Sequence, residues 1–201
     1  DPSGAFTTAA GMVALTEKYL KDGFDQGLDK SSVVILGGTG PVGVASAVIC
    51  AKAGANVRLV GRSIEKAEKT AAICNDRYQS KNVVAGADAD KQDYLNDADI
   101  VLNTGAAGIQ LMSDENVQMS SNLKICADTN AVPPSGIAGV NVMDSGKIMD
   151  KSPNKCRGIG ALAIGNVKYK SQHECLKLMY TSDDPVYLDF EDAFKFAQKS
   201  V

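Results

Sequence analysis

Apolar and polar positions alternate between two periods along this chain. Met12, Leu15, Tyr19 and Leu20 recur at helical spacing, which predicts a helix over 7–21 that Thr7 or Thr8 caps and Lys21-Asp22-Gly23 stops. From Ser32 the period changes. Val33-Val34-Ile35-Leu36 is a short unbroken apolar run bounded by Gly37-Gly38, as expected for a strand buried on both faces of a parallel sheet. Pro41 then stands where a helix tolerates a missing N–H, and the alanine- and valine-rich stretch 44–52 continues that helix until Gly54 ends it. Val57-Arg58-Leu59-Val60 reads as a second strand, and 64–78 as a long helix behind Gly61-Arg62-Ser63.

The alternation continues with a third strand at Val83-Val84-Ala85, a short helix over 90–96, a fourth strand at Ile100-Val101-Leu102 and a fifth over 123–127. A turn-rich segment over 129–153, carrying Pro133-Pro134, breaks the rhythm before the glycine-spaced apolar run 158–165, to which the pattern assigns no firm element. Helices over 167–180 and 188–199 close the chain, the second capped by Asp189. This order predicts an α/β protein: a doubly wound, mostly parallel Rossmann-type sheet with flanking helices. Residues 31–201 are expected to form the nucleotide-binding domain with its C-terminal helices. Residues 1–30 are expected to hold an N-terminal helix linking to a front domain missing from the sequence.

Composition narrows the partners. Of 201 residues 44% are apolar and 22% charged, enough to bury a full core and unlike a disordered chain. The net charge of -3 creates no basic field, so nucleic acid is not expected as a partner. No stretch approaches the roughly 18 uninterrupted apolar residues of a membrane helix, and no signal-peptide pattern opens the chain, so no membrane partner is expected and the expected location is cytoplasmic. The five cysteines, at 50, 74, 126, 156 and 175, include no CxxC pair, and the single His173 lies far from most of them. Neither a metal site nor a disulfide framework is expected. Cys50, Cys74 and Cys126 read as small buried apolar residues, and His173 as a structural residue.

The chemistry concentrates in the glycine turn Gly38-Thr39-Gly40-Pro41-Val42-Gly43, between an apolar strand and a helix. In that context Gly38 would permit the tight turn, Gly40 would let backbone approach a pyrophosphate, and Gly43 would allow close helix packing. The helix start then offers free N–H groups and a positive dipole end to a phosphate. At the end of the second strand an acid would favour the ribose 2′-hydroxyl of NAD. Arg62, Ser63 and Lys66 follow it instead, a set able to clamp a 2′-phosphate, so NADP is favoured with NAD use left open. The same cations also read as solvated surface charges near Glu65 and Glu68. Thr104, Gly105 and Ala106 follow the fourth strand and Asp128-Thr129-Asn130 the fifth, placing both at the carboxyl edge where ligands bind, or simply in ordinary turns. None of the six tyrosines has a lysine four residues on, which disfavours the short-chain dehydrogenase arrangement.

The segments GTGPVG at 38–43, GRSIEKA at 61–67, NTGAAG at 103–108, ADTNAVPPSGIAGV at 127–140 and GALAIGNVKYK at 160–170, with Asp1-Pro2-Ser3-Gly4 and Thr7-Thr8-Ala9-Ala10, resemble the NAD(P)-dependent methylene-tetrahydromethanopterin dehydrogenases of methylotroph type. The resemblance spans nearly the whole chain. It implies an oxidoreductase of one-carbon metabolism that moves hydride between the methylene carbon of a reduced pterin, tetrahydromethanopterin, and NADP, giving the methenyl form. It also implies that Arg62, Ser63 and Lys66 lie near the 2′-phosphate and Thr104, Gly105 and Ala106 near the cofactor. Lys168 is the implied candidate catalytic residue, for substrate orientation or electrostatic tuning. Family members carry a smaller domain ahead of the segment matching Asp1, and the opening Asp-Pro-Ser-Gly-Ala-Phe departs from their polar loop. A shikimate-dehydrogenase-like enzyme, a methylene-tetrahydrofolate oxidoreductase and a non-enzymatic NADP-binding module remain as alternatives. Helices beside an open sheet offer a surface for a homo-oligomer.

Overall fold

The computed structural model describes residues 4–201, so the Asp1-Pro2-Ser3 part of the opening segment lies outside the described residues. Seven strands form one sheet: β1 (Ser32–Leu36), β2 (Asn56–Gly61), β3 (Val83–Ala87), β4 (Ile100–Asn103), β5 (Ile125–Asp128), β6 (Ser145–Ile148) and β7 (Arg157–Ile159). Their spatial order is β3-β2-β1-β4-β5-β7-β6, parallel throughout except for β6, which runs antiparallel to β7 at the edge. The chain leaves β1 toward one side and returns to β4 on the other. The winding therefore reverses between β1 and β4, and the carboxyl ends of those strands are the place where open α/β sheets bind ligands.

Side-chain alternation divides the core into two layers. Val33, Ile35, Leu59, Ile100 and Leu102 pack against α1 (Ala5–Phe24), α2 (Pro41–Lys52), α3 (Ile64–Tyr78), α6 (Ala161–Thr181) and α7 (Phe190–Gln198). Val34, Leu36, Val60, Val101 and Cys126 face the opposite layer, covered by Leu95 of α4 (Lys91–Asn96) and Val117 of α5 (Asp114–Met119). Both faces of β1 are therefore buried, and each such aliphatic side chain contributes about 2 kcal/mol by leaving water. Helix α6 comes close to α1 at Gly11, where an added Cβ would lie 3.0 Å from the Ile164 carbonyl oxygen. Among the described residues no helix is long and apolar enough to cross a membrane.

Several expectations need correction. Helix α1 begins at Ala5 with Gly4 in a left-handed conformation as its cap, and the Thr8 hydroxyl donates back to the Gly4 carbonyl (2.6 Å), so neither threonine is the N-cap. The segment over 129–153 is not all turn, since β6 forms within it, and the run 158–165 divides between β7 and the first turn of α6. Helix α6 thus starts six residues before Val167. Helix α5 answers to no sequence expectation; its Ser113 caps the Asn116 N–H while the Asn116 side chain accepts the Ser113 N–H. Asp189 does cap α7, accepting the Glu191 N–H at 2.8 Å. Cys50, Cys74 and Cys126 are buried, and burial pushes the Cys50 thiol up to about 12.

Candidate functional site

Parallel pairing brings the last residues of β1, β2, β4 and β5 to one edge of the sheet, and three of the sequence-predicted segments meet there. The turn after β1 is made by Gly37, not Gly38. Gly37 has φ of 66°, while Gly38 avoids the left-handed region and is instead crowded, with an added Cβ 2.8 Å from Leu59 and 3.0 Å from the Ile35 carbonyl oxygen. Two adjacent glycines offer no way to tell from sequence which one takes the positive φ. Gly37 also lies against the loop after β4, where its Cβ would sit 2.6 Å from Gly105 Cα. The end of β2 touches the same turn, since a Cβ at Gly61 would be 2.9 Å from Thr39.

Gly40 and Gly43 behave differently from each other. A Cβ at Gly43 would run into the Gly38 carbonyl, so this glycine seats α2 against the turn. At Gly40 an added Cβ would meet nothing within 4 Å, which leaves backbone facing open space. Gly40 is the N-cap of α2; no side chain caps this helix, Pro41 occupies its first turn, and no acidic residue stands there. The positive end of the helix dipole is therefore neither capped nor neutralised. A cavity of about 320 Å³ opens alongside, lined by Phe6, Thr39, Gly40, Pro41, Val44 and Tyr78 among others. A cavity of about 410 Å³ lies away from it, among Ser32, Asn56, Lys81 and Asp97, and offers neither a glycine turn nor a helix start.

Arg62, Ser63 and Lys66 are all exposed beyond β2. Arg62 and Lys66 hold no ion pair among the described residues, whereas six other lysines do. Ser63 is the N-cap of α3: its oxygen accepts the Lys66 N–H (3.2 Å), and its hydroxyl donates to Glu65 Oε2 (2.6 Å). That hydrogen bond holds the Glu65 carboxyl below its usual range.

The loops after β4 and β5 are joined by a network that local sequence did not reveal. Asn103 and Asp128 are opposite each other in the register, and Asn103 Nδ2 donates to Asp128 Oδ1 (2.7 Å). Asp128, fully buried, also accepts the N–H groups of Asn130 (2.9 Å), Gly136 (2.7 Å) and Ile137 (3.0 Å). Asn103 Oδ1 in turn accepts the Gly105 N–H (3.1 Å), and Asn130 Oδ1 accepts that of Gly108 (3.1 Å). Thr104 is anchored to β1 by its hydroxyl, which donates to the Leu36 carbonyl (3.1 Å), while Ala106 is exposed. The available signal was the pair of polar residues closing two otherwise apolar strands.

Lys168 stands apart from this cluster. It lies on α6 against α1, and an added Cβ at Gly4 would be 2.6 Å from its Nζ. Its ammonium therefore reaches the first turn of α1, two residues from Phe6, which lines the cavity beside Gly40. His173, on the same helix, is exposed.

No family model matches the chain. The chain is 38% identical over 200 residues to the NAD(P)-dependent methylenetetrahydromethanopterin dehydrogenase of Methylorubrum extorquens, covering 98% of this chain and 67% of that protein. It is 37% identical over 202 residues to the Bifunctional protein MdtA of the same organism, covering 99% and 67%. Among solved structures, glutamyl-tRNA reductase from Methanopyrus kandleri aligns with a TM-score of 0.60 at 14% identity, over 96% of this chain and 42% of that one. Quinate dehydrogenase from Corynebacterium glutamicum in complex with NAD aligns with a TM-score of 0.57 at 15% identity, over 97% and 62%. At such identities these two structures speak for the fold alone.

Proposed function

The chain belongs to the family of NAD(P)-dependent methylenetetrahydromethanopterin dehydrogenases, and on that premise we propose that it is an oxidoreductase acting on methylene-tetrahydromethanopterin with NADP, giving the methenyl form. The observation that carries the nucleotide half of this reading is the uncapped start of α2 behind the open backbone of Gly40, with Arg62 just beyond β2 and Lys66 in the first turn of α3, two exposed cations that hold no ion pair among the described residues. A dinucleotide phosphate fits these residues: N–H groups and a helix dipole for the diphosphate, and a fork of positive charge for the 2′-phosphate.

When bound, NADP supplies the acceptor for the hydride that leaves the methylene carbon. The pterin nitrogen lone pair stabilises the cation left behind, so the protein needs no strong acid or base and contributes mainly position. The turn Gly38-Thr39-Gly40-Pro41-Val42-Gly43 would hold the diphosphate, with the open backbone at Gly40 facing it and Gly43 letting α2 pack against the turn. Arg62, Ser63 and Lys66 hold the 2′-phosphate, and Thr104, Gly105 and Ala106 border the nicotinamide side. Asp128 fixes that last loop through the Asn103 side chain, whose Oδ1 accepts the Gly105 N–H. Lys168, held against the first turn of α1, orients the substrate or tunes its charge.

Calorimetry with NADP and NAD, followed by a spectroscopic assay of cofactor reduction, tests the reading. Reduction should require methylene-tetrahydromethanopterin, with methylene-tetrahydrofolate and shikimate inactive or much slower. Turnover with shikimate alone would reject the pterin assignment, and absence of any nucleotide binding would reject the site itself.

A further inference from the structure

The serine at the end of β2 has one proton to donate and lone pairs to accept with. A lone pair takes the Lys66 N–H and thereby caps α3, while the proton goes to the Glu65 carboxylate at 2.6 Å. An acid thus stands at the strand end after all, supplied not by β2 but by the first turn of the following helix. It occupies the one hydroxyl donor that a 2′-phosphate would use, next to Arg62 and Lys66.

We infer that Glu65 is a specificity-determining residue, whose carboxylate competes with the 2′-phosphate of NADP for the Ser63 proton and for the field of Arg62 and Lys66, so that the advantage of NADP over NAD is held down. This inference rests on the reading of Arg62, Ser63 and Lys66 as the 2′-phosphate clamp. The 2′-phosphate carries nearly two negative charges at neutral pH and must push the Glu65 side chain aside to reach Ser63. A ribose 2′-hydroxyl has the opposite need, because it can donate to a carboxylate held at this place. One side chain therefore penalises one nucleotide and accommodates the other. Glu68, one turn further on and exposed, makes no hydrogen bond to Ser63 and provides an internal control of equal charge.

The test uses the full chain and two probes that differ only in the group at issue, adenosine 2′,5′-bisphosphate and 5′-AMP, titrated by calorimetry. Glu65→Gln keeps the shape and an acceptor for Ser63 but removes the charge. It should tighten the bisphosphate about fivefold, the upper end for an exposed charge pair, without tightening 5′-AMP. Glu68→Gln should leave the ratio of the two affinities within about twofold, as a screened surface charge does. An unchanged ratio in Glu65→Gln, or an equal change in Glu68→Gln, overturns the inference. Arg62→Gln separates the two levels of the argument. If it erodes discrimination for the bisphosphate while Glu65→Gln does nothing, the clamp stands and the role of Glu65 falls; if Arg62→Gln has no effect, both fall together.

Discussion

At the amino edge of the sheet, Asp99 accepts the Ser32 N–H (2.9 Å) and a proton of the Lys124 ammonium (2.6 Å), so one carboxylate ties the starts of β1, β4 and β5. At the carboxyl edge Asp128 does the same work for the loops after β4 and β5, but with backbone N–H groups and an amide in place of a cation. Beyond Asp128 the resemblance between the edges ends. At the amino edge Asp99 takes up the Lys124 ammonium, whereas at the carboxyl edge no ion pair among the described residues holds Arg62 or Lys66 and no side chain caps the start of α2. A carboxylate answered by a cation and a backbone N–H of its own chain ties strands together and leaves little of that charge for a ligand. An end with organised but unanswered donors is preorganised to bind one.

The largest expected effect comes from removing the buried anchor. Asp128→Ala strands the N–H groups of Asn130, Gly136 and Ile137 together with the Asn103 amide, and should cost roughly 3–5 kcal/mol in chemical denaturation. A loss below 1 kcal/mol would mean that water replaces the carboxylate and that the two edges are not equivalent in stability. Next comes Arg62→Glu, which reverses a charge where only the ligand answers it. NADP affinity should fall by about 30- to 100-fold, with NAD affected much less and the melting temperature unchanged without nucleotide. Equal losses for both nucleotides would remove Arg62 from the clamp.

How much of this contrast could be read in the sequence depends on the range of the interactions. Val33-Val34-Ile35-Leu36 announces a doubly buried strand by itself, and the spacing of Gly40 and Gly43 behind it announces a helix start that backbone can approach. Strands β6 and β7 escaped because β6 is a short edge strand, largely exposed, with no apolar period to report it. Helix α5 spans only 6 residues with Val117 as its one buried position, so no apolar spacing displays a face. The Asn103–Asp128 bond joins positions 25 apart in sequence, and only the strand register makes them neighbours. Glu65 is the instructive case: its proximity to Arg62 is plain in the sequence, but its hold on the Ser63 proton depends on where α3 begins.

The amino edge makes a prediction about pH. Burial alone would raise the Asp99 carboxyl, yet the hydrogen bonds from Lys124 and Ser32 outweigh it and hold the group below its ordinary value of 3.8. Because the folded value is the lower one, its stabilisation is complete above the ordinary value and is lost as pH falls through the native one. At pH 7 the wild type should exceed Asp99→Asn by about 1–2 kcal/mol, and the gap should close only below about pH 4. A gap that persists to pH 2 would assign the effect to geometry instead of charge.

The smallest effect is expected at Ser63, where the open edge and helix capping share one hydroxyl. Ser63→Ala removes the acceptor of the Lys66 N–H, so α3 should lose about 1 kcal/mol whether or not nucleotide is present. The same change removes the donor held by Glu65, and with it a hydrogen bond that is charge-assisted for the 2′-phosphate of NADP and neutral for the 2′-hydroxyl of NAD. The two roles separate in measurement: the capping loss appears in denaturation of the free protein, while the binding loss appears as a few-fold weakening of NADP relative to NAD, about the value of one exposed hydrogen bond. A destabilised protein with an unchanged NADP to NAD ratio would leave Ser63 a helix cap alone, and the phosphate would then depend on Arg62 and Lys66.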